Sequence, residues 1–419
     1  MLQVNQEEEG AEEEGGEKSA NRLHSDGPHS ATPNRSQPNC LALGRLAFAG
    51  MDGDNTMSWS DLPADLVSAV AGRLTELADL ARFRSVCPSW RSASAAHASR
   101  RRVPLLLLPT EGYGGTRVNR RAWSLADDRL REIPVPDALG RSFLFASHHG
   151  WMLAVAAGDL SATLVYPLAG GSAGLPALPS SFGGDDNEKM LMDLVWDWSP
   201  HGVVVSMPGK GAFFCRPGDE SWRPVGCSSA GVTGVTYCDG AFYLLDGETC
   251  KVTAVNAETL AVDMVIEPPA LKIPSWCRDA NIVVSPDEIL LLVRTQLMHR
   301  RIITTRTFKA FRASRAAGDG SPVWSEVAGV GDRAVFVDHQ RAFCVEATAL
   351  NGLRRNCMYV ASAHEEVNDD YGMDVNGYYT AEVLDIAELT TVDLSFGELR
   401  SVWCSSRRQW PSWSLPNLH

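Results

Sequence analysis

Two groupings of residues have the types and spacing to hold a metal ion. One is the adjacent pair His148-His149; the other is Cys215, Cys227, Cys238 and Cys250, which recur every 11 to 12 residues. A zinc site needs about four such ligands converging at tetrahedral geometry. No carboxylate or cysteine follows the histidine pair at ligand spacing, so a turn at the end of a strand is the better reading. The cysteines stand beside apolar and aromatic residues, as in Phe213-Phe214-Cys215 and Tyr237-Cys238, which is the setting of buried thiols. The chain has no phosphate-binding loop of the G-x-x-x-x-G-K type and no dinucleotide G-x-G-x-x-G fingerprint. The sequence therefore offers no catalytic residue, no metal site and no cofactor site.

The chain of 419 residues is 44% hydrophobic and 21% charged, too long for one hydrophobic core, and is expected to form more than one domain. With 38 basic against 51 acidic residues it carries a formal charge of −13. Phosphate neutralisation needs a basic face, so nucleic acid is not an expected partner. The apolar run Val103–Pro109 is bounded and interrupted by proline and far shorter than the roughly 20 residues of a membrane span. Glu7, Glu8, Glu9, Glu12, Glu13, Glu14 and Glu17 stand where a signal peptide would have a basic start and an apolar stretch. Ten cysteines scattered without a C-x-x-C pair fit reduced thiols. Cytoplasm, nucleus or both are the expected locations.

Three segments follow from the patterning. Residues 1–57 are acidic and rich in Gly, Ser, Asn and Pro, and are expected to be disordered because they bury too little to offset their ordering entropy. Residues 58–102 read as three short helices. The first starts at Ser60-Asp61-Leu62-Pro63, has Leu62, Leu66, Val67 and Val70 at helical spacing, and ends near Gly72. The second carries Leu77, Leu80, Phe83 and Val86, with Thr75 and Asp79 near its start. Cys87-Pro88 divides it from the third, which carries Trp90, Ala93, Ser94 and His97. Residues 103–419 change to short β-rich runs separated by turn residues, among them 202–206, 241–245, 251–255, 281–285 and 288–293.

A loose recurrence runs through this β region, in which a strand, a turn and a second strand close on a Trp-containing or Glu-x-Leu-like segment. It is seen at Trp123, Ser221-Trp222, Glu258-Thr259-Leu260, Val323-Trp324 and Glu388-Leu389-Thr390. Repetition at spacings near 40 residues and above predicts a β-propeller-like domain of undetermined blade count. The expected fold class is thus α+β multidomain, a small helical unit followed by an all-β domain.

The helical unit resembles an F-box. The residues that carry the resemblance are Leu62-Pro63-x-Asp65-Leu66-Val67, Arg73-Leu74, Asp79-Leu80-x-Arg82-Phe83 and Val86-Cys87-x-x-Trp90-Arg91, in the family order within 30 residues. The resemblance implies Leu62, Pro63, Leu66, Val67, Val70, Leu74 and Leu80 as contacts for a Skp-type adaptor, with Phe83, Val86 and Trp90 building the F-box's own core. Ala71 departs from the pattern where a larger aliphatic is usual, and is expected to shrink the adaptor contact. The β region resembles, over 103–419, the propeller-like domain that follows the F-box in a plant F-box protein family. That resemblance rests on Asn356-Cys357-Met358-Tyr359-Val360 and on Trp410-Pro411-Ser412-Trp413-Ser414-Leu415-Pro416. Trp410 and Trp413 are expected to pack as closing residues of the last blade. Tyr371, Tyr378 and Tyr379, beside Asp369, Asp370 and Asp374, are candidates for a target-contacting loop.

The function this implies is substrate recognition in an SCF-type cullin-RING E3 ubiquitin ligase. The F-box would bind the Skp adaptor and through it cullin, the propeller would hold a target protein, and the chain itself would catalyse nothing. The alternatives are a ligand-binding or structural propeller with a degenerate F-box, and a propeller enzyme whose active site is drawn from separate loops.

Overall fold

The computed structural model describes residues 59–415, except 75, 102, 109–119, 127, 134–138, 140–141, 148, 169, 185–186, 227–230, 272–277, 300–301, 315–321, 340, 350, 368–374 and 395–410. The expected low-complexity segment 1–57, Thr75, His148, Cys227, Asp369, Asp370, Tyr371, Asp374 and Trp410 lie outside the described residues.

The helical unit consists of a short 3-10 turn, Trp59–Asp61, then α1 (Ala64–Arg73), α2 (Leu77–Ser85), α3 (Pro88–Ala93) and α4 (Ala95–Arg101). The expected third helix is divided at Ser94. The Ser94 hydroxyl bonds back to the Trp90 carbonyl at 2.6 Å and the Arg91 carbonyl at 3.2 Å, a local bond that competes with the helical ladder. Pro63 lies one position earlier than a first-turn residue, as N-cap of α1, its carbonyl accepting from the Val67 N–H at 3.1 Å. Gly72 sits inside α1 and does not end it. A Cβ there would lie 3.0 Å from His97 Cε1, so the missing side chain lets α4 approach α1, where Ser68 Oγ and His97 Nε2 are 3.0 Å apart.

The β region is a six-bladed propeller. Blade 1 holds β1 (Leu105–Leu107), β2 (Arg120–Ser124) and β3 (Arg129–Ile133). Blade 2 holds β4 (Ser142–Ala146), β5 (Met152–Ala156), β6 (Ala162–Tyr166) and β7 (Gly171–Leu175). Blade 3 holds β8 (Val195–Ser199), β9 (Gly202–Met207), β10 (Gly211–Cys215) and β11 (Arg223–Pro224). Blade 4 holds β12 (Val232–Cys238), β13 (Ala241–Asp246), β14 (Val252–Asn256) and β15 (Val262–Ile266). Blade 5 holds β16 (Arg278–Ser285), β17 (Glu288–His299), β18 (Ile302–Ser314) and β19 (Val323–Val327). Blade 6 holds β20 (Arg333–Val337), β21 (Ala342–Glu346), β22 (Cys357–Val367), β23 (Val375–Asp385) and β24 (Thr391–Asp393). The last strand, β25 (Ser412–Ser414), leaves blade 6 and pairs with β1, completing blade 1 in the order β25-β1-β2-β3. Blades 2 to 5 run in simple sequence order. Blade 6 is ordered β21-β20-β22-β23-β24, with β20 and β22 parallel.

Each gap between neighbouring blades is filled by its own apolar layer. Phe145, Leu153 and Leu164 of blade 2 meet Trp196, Val203 and Val205 of blade 3. Phe336, Tyr359 and Val383 of blade 6 meet Leu106 and Trp413 of blade 1. Strand alternation sends one set of side chains to each neighbour, so the sheets are apolar on both faces, as β9 shows with all six residues buried. Two aspartates pin adjacent blades together. Asp197 of blade 3 accepts from the Tyr237 N–H of blade 4 at 2.7 Å, and Asp338 of blade 6 accepts from the Trp413 N–H of blade 1 at 2.8 Å. Arg341 ties blade 6 to blade 3, donating to the Trp196 carbonyl at 3.4 Å with its guanidinium 5.7 Å from the indole. Burial holds the Arg341 guanidinium below its ordinary value, and Asp338 and Asp197 offset only part of that.

The Glu-x-Leu recurrence corresponds to a repeated turn. In Asn256–Leu260 and Asp385–Leu389 the first side chain accepts backbone N–H bonds at the third and fourth positions. The fifth N–H returns to the first carbonyl at 2.9 and 2.8 Å. Asp246–Cys250 repeats the arrangement. The fifth residue has φ of 61°, 53° and 65° respectively, left-handed backbone usually left to glycine.

Candidate functional site

The four helices enclose a small core of Ala71, Leu80, Ala81 and Ala98, with Leu74, Leu77, Phe83 and Leu168 packed around it. Val67 is also buried. Positions 67 and 71, one helical turn apart, face inward, while 66 and 70 lie about 100° round the helix from them. That rotation separates the resemblance-derived contact set into two groups. Val67 and Leu80 are interior, Leu62 and Leu74 are half-buried, and Pro63, Leu66 and Val70 are exposed.

The expected core residues divide as well. Phe83 and Trp90 stack at 4.4 Å between ring centroids, and Trp90 Nε1 donates to the Trp59 carbonyl at 3.0 Å, fixing the entry turn to α3. Val86 is exposed and outside that core. The spacing Leu77, Leu80, Phe83, Val86 explains it, since each three-residue step falls about 60° short of a full turn and three steps bring the chain to the opposite side. Ala71 is fully buried against Leu80, so its small size serves internal packing. Ala71→Leu should overpack this core by about 1–3 kcal/mol, read as a lower unfolding midpoint in urea.

Arg84 was not singled out in the sequence. It is buried, donating from Nη1 to the Arg91 carbonyl at 2.8 Å and to Ser94 Oγ at 3.1 Å, while Arg91 Nε donates back to the Arg84 carbonyl at 3.4 Å. This lattice ties α2 to the α3–α4 break, and only the Arg-x6-Arg spacing signals it.

Large exposed apolar side chains are scarce in the described residues, and they are unevenly placed. Of eight, Trp59, Leu66, Val70 and Val86 fall within 28 consecutive residues of the helical unit, at 60%, 51%, 49% and 54% exposure. They lie on the entry turn, on α1 and at the end of α2.

The propeller supplies a second candidate surface. β17 and β18 are 12 and 13 residues long, and β22 and β23 are 11 each, against five for most other strands. Glu288, first in β17, is ion-paired with Arg333, first in β20, and β20 runs parallel to β22. The long hairpins of blades 5 and 6 therefore extend from the same face. Residues 288–314 contain six arginines and lysines and one carboxylate, whereas 357–385 contain seven carboxylates and no arginine or lysine. Tyr378 and Tyr379 lie on β23, and Trp413 is wholly buried, 5.0 Å from the Phe336 ring.

Among the described residues no three His, Cys, Asp or Glu side chains gather as metal ligands, and no helix is long and apolar enough to cross a membrane. Cys215 and Cys250 are buried strand and turn residues and Cys238 is half-buried. Burial pushes the thiols of Cys215 and Cys344 up to about 11 and about 12. Cys87, at the N-cap of α3, is held below the ordinary thiol value by hydrogen bonds from Ser89 and from the Trp90 backbone. Since the thiolate is the reactive form, iodoacetamide at pH 7.5 followed by peptide mass spectrometry should label Cys87 well before Cys215 or Cys344.

Fold and helical unit together define a class: a six-bladed β-propeller preceded by short helices of F-box type. The chain belongs to the KIB1-4 β-propeller family, whose model matches residues 122–380. It is 23% identical over 400 residues to the Arabidopsis thaliana F-box protein At4g22660, covering 83% of this chain and 97% of that one. It is similar to two further A. thaliana F-box proteins. At5g55150 is 22% identical over 72% of this chain and 84% of its own, and At5g66830 is 21% identical over 84% and 92%.

Proposed function

We propose that the chain is the substrate-recognition subunit of an SCF-type cullin-RING E3 ubiquitin ligase. The observation that carries this reading is the cluster of solvent-facing apolar side chains on the helical unit, Leu66 and Val70 foremost, in a chain whose long relatives are F-box proteins. Leu62 and Pro63 at the start of α1 extend the cluster toward the entry turn. Each well-buried aliphatic contributes about 1.5–3 kcal/mol, so three or four anchors suffice for a micromolar or tighter complex with a Skp-type adaptor, and cullin joins through the adaptor. The target protein docks on the propeller. The chain then acts by proximity, holding target beside a charged ubiquitin-conjugating enzyme, and performs no bond chemistry itself. Cytoplasm and nucleus are the compartments this role requires.

Affinity capture of the full-length chain beside the variant Leu62→Ala/Pro63→Ala tests the assignment. Adaptor and cullin should be retained by the natural chain and lost from the variant, while target proteins stay with both. Equal retention of the adaptor by the folded variant would contradict the docking face, and absence of adaptor from both would favour a propeller whose helices no longer assemble a ligase.

A further inference from the structure

The core of the helical unit is made mostly of small side chains. Ala71, Ala81 and Ala98 gather around Leu80, and units of fewer than ~50 residues rarely bury enough apolar surface to hold their own fold. Further apolar area comes from the propeller. Leu168, in the turn between β6 and β7 of blade 2, packs against this core. The turn is shaped for it: Pro167 restricts the backbone just before, and the Gly170 N–H donates to the Tyr166 carbonyl at 2.9 Å from a left-handed φ of 73°. Contact in the other direction comes from Leu77, the first residue of α2. It packs both on the helical core and on the layer between blades 1 and 2, among Leu105, Ile133, Leu144 and Met152. Its neighbour Glu76 is ion-paired with Arg131 of β3 at 2.6 Å. Helices and propeller thus each place a leucine in the other's core.

We propose that blade 2 positions the adaptor-docking helices: Leu168 holds α1 and α2 together and so fixes the face that carries Leu66 and Val70. Ala71, which follows Val70 on α1, lies in the core that Leu168 covers, so a shift of that core turns the face with it. The helices are then not a module on a loose tether, and the propeller sets the direction in which they present an adaptor. The adaptor half of this inference rests on the function proposed above. The dependence of the helices on Leu168 does not.

Hydrogen exchange of the full chain, read by mass spectrometry, compares the natural protein with Leu168→Ala and Leu168→Met, beside calorimetric titration of a recombinant Skp-type adaptor. Leu168→Ala should speed exchange in α1 and α2 about tenfold while β12–β15 of blade 4 stay as they are. Adaptor affinity should fall about threefold, following the loss of docking-competent helices. Leu168→Met keeps the apolar contact and should restore both. Unchanged exchange in α1 and α2 of Leu168→Ala overturns the proposal. So does a rise confined to β6 and β7, or one of equal size in blade 4. Unchanged adaptor affinity in a variant whose helices exchange faster overturns the link to the docking face. If exchange responds as expected but the natural chain binds no adaptor, the ligase reading fails and the positioning of the helices by blade 2 stands.

Discussion

Changing Leu66 and Val70 together to aspartate should weaken adaptor binding by at least about 100-fold while leaving the fold intact. The two side chains lie one helical turn apart on α1 and are half exposed in the free chain, so they have apolar area to give to a partner and little role in the unit's own core. Losing two aliphatic anchors removes about 3–6 kcal/mol, and each 1.4 kcal/mol is tenfold in Kd. Two buried carboxylates would add a desolvation cost. Exposed substitutions away from caps and cores rarely move stability by more than about 0.5 kcal/mol, so the melting temperature should hardly change. Val67→Asp is the informative contrast. Val67 is buried inside the unit, and that variant should unfold the helices and lose binding for a different reason. Circular dichroism beside calorimetric titration of a recombinant Skp-type adaptor separates the two outcomes.

Trp413→Ala should be among the most destabilising substitutions in the propeller. In this propeller the last strand, β25, three residues long, returns to complete the first blade. Trp413 pairs in register with Leu106 of β1, packs edge-on to Phe336 at 5.0 Å, and donates its backbone N–H to Asp338. Truncating a wholly buried tryptophan costs about 3–5 kcal/mol, and for a domain of this size the melting point should fall by roughly 5–10 °C. Because the lost contact is the ring closure itself, hydrogen exchange should rise first in β1 and β25. A uniform rise across all six blades would point to cooperative loosening without a weak seam.

The architecture was legible where its physics is local. Strands such as β9 and β17 stand out as β-rich runs between turn residues, and Trp413 reads as a closing residue from the resemblance carried by Trp410-Pro411-Ser412-Trp413-Ser414-Leu415-Pro416. The blade count was not legible, because blade 6 inserts a hairpin, β20–β21, and reorders its strands, and the turn that repeats is marked by an Asx residue and a left-handed fifth residue of variable type. No propensity scale flags Leu260, Leu389 and Cys250 as left-handed. In the helical unit the motif spacing located α1, α2 and α3 but not which side of each helix is inside. Val67 and Leu80 became core and Val86 surface because a shift of one residue rotates a side chain by about 100°. Arg84 escaped notice because a buried arginine bonded to a backbone carbonyl and a serine hydroxyl has no periodic signature. A cavity of about 360 Å³ where α2 meets blades 1 and 2 was beyond sequence reading for another reason. Glu76, Arg129, Met152 and Leu168 are far apart along the chain, and only the packing of α2 on blades 1 and 2 brings them together.

The proposed docking of a Skp-type adaptor on the apolar side of α1 can be read from a calorimetric titration of purified adaptor into the purified full chain, with the Leu66→Asp/Val70→Asp variant titrated in parallel. The natural chain should form a one-to-one complex of micromolar affinity or better, and an equally folded variant should give no measurable heat. Absence of binding by the natural chain, or equal binding by both, would contradict it.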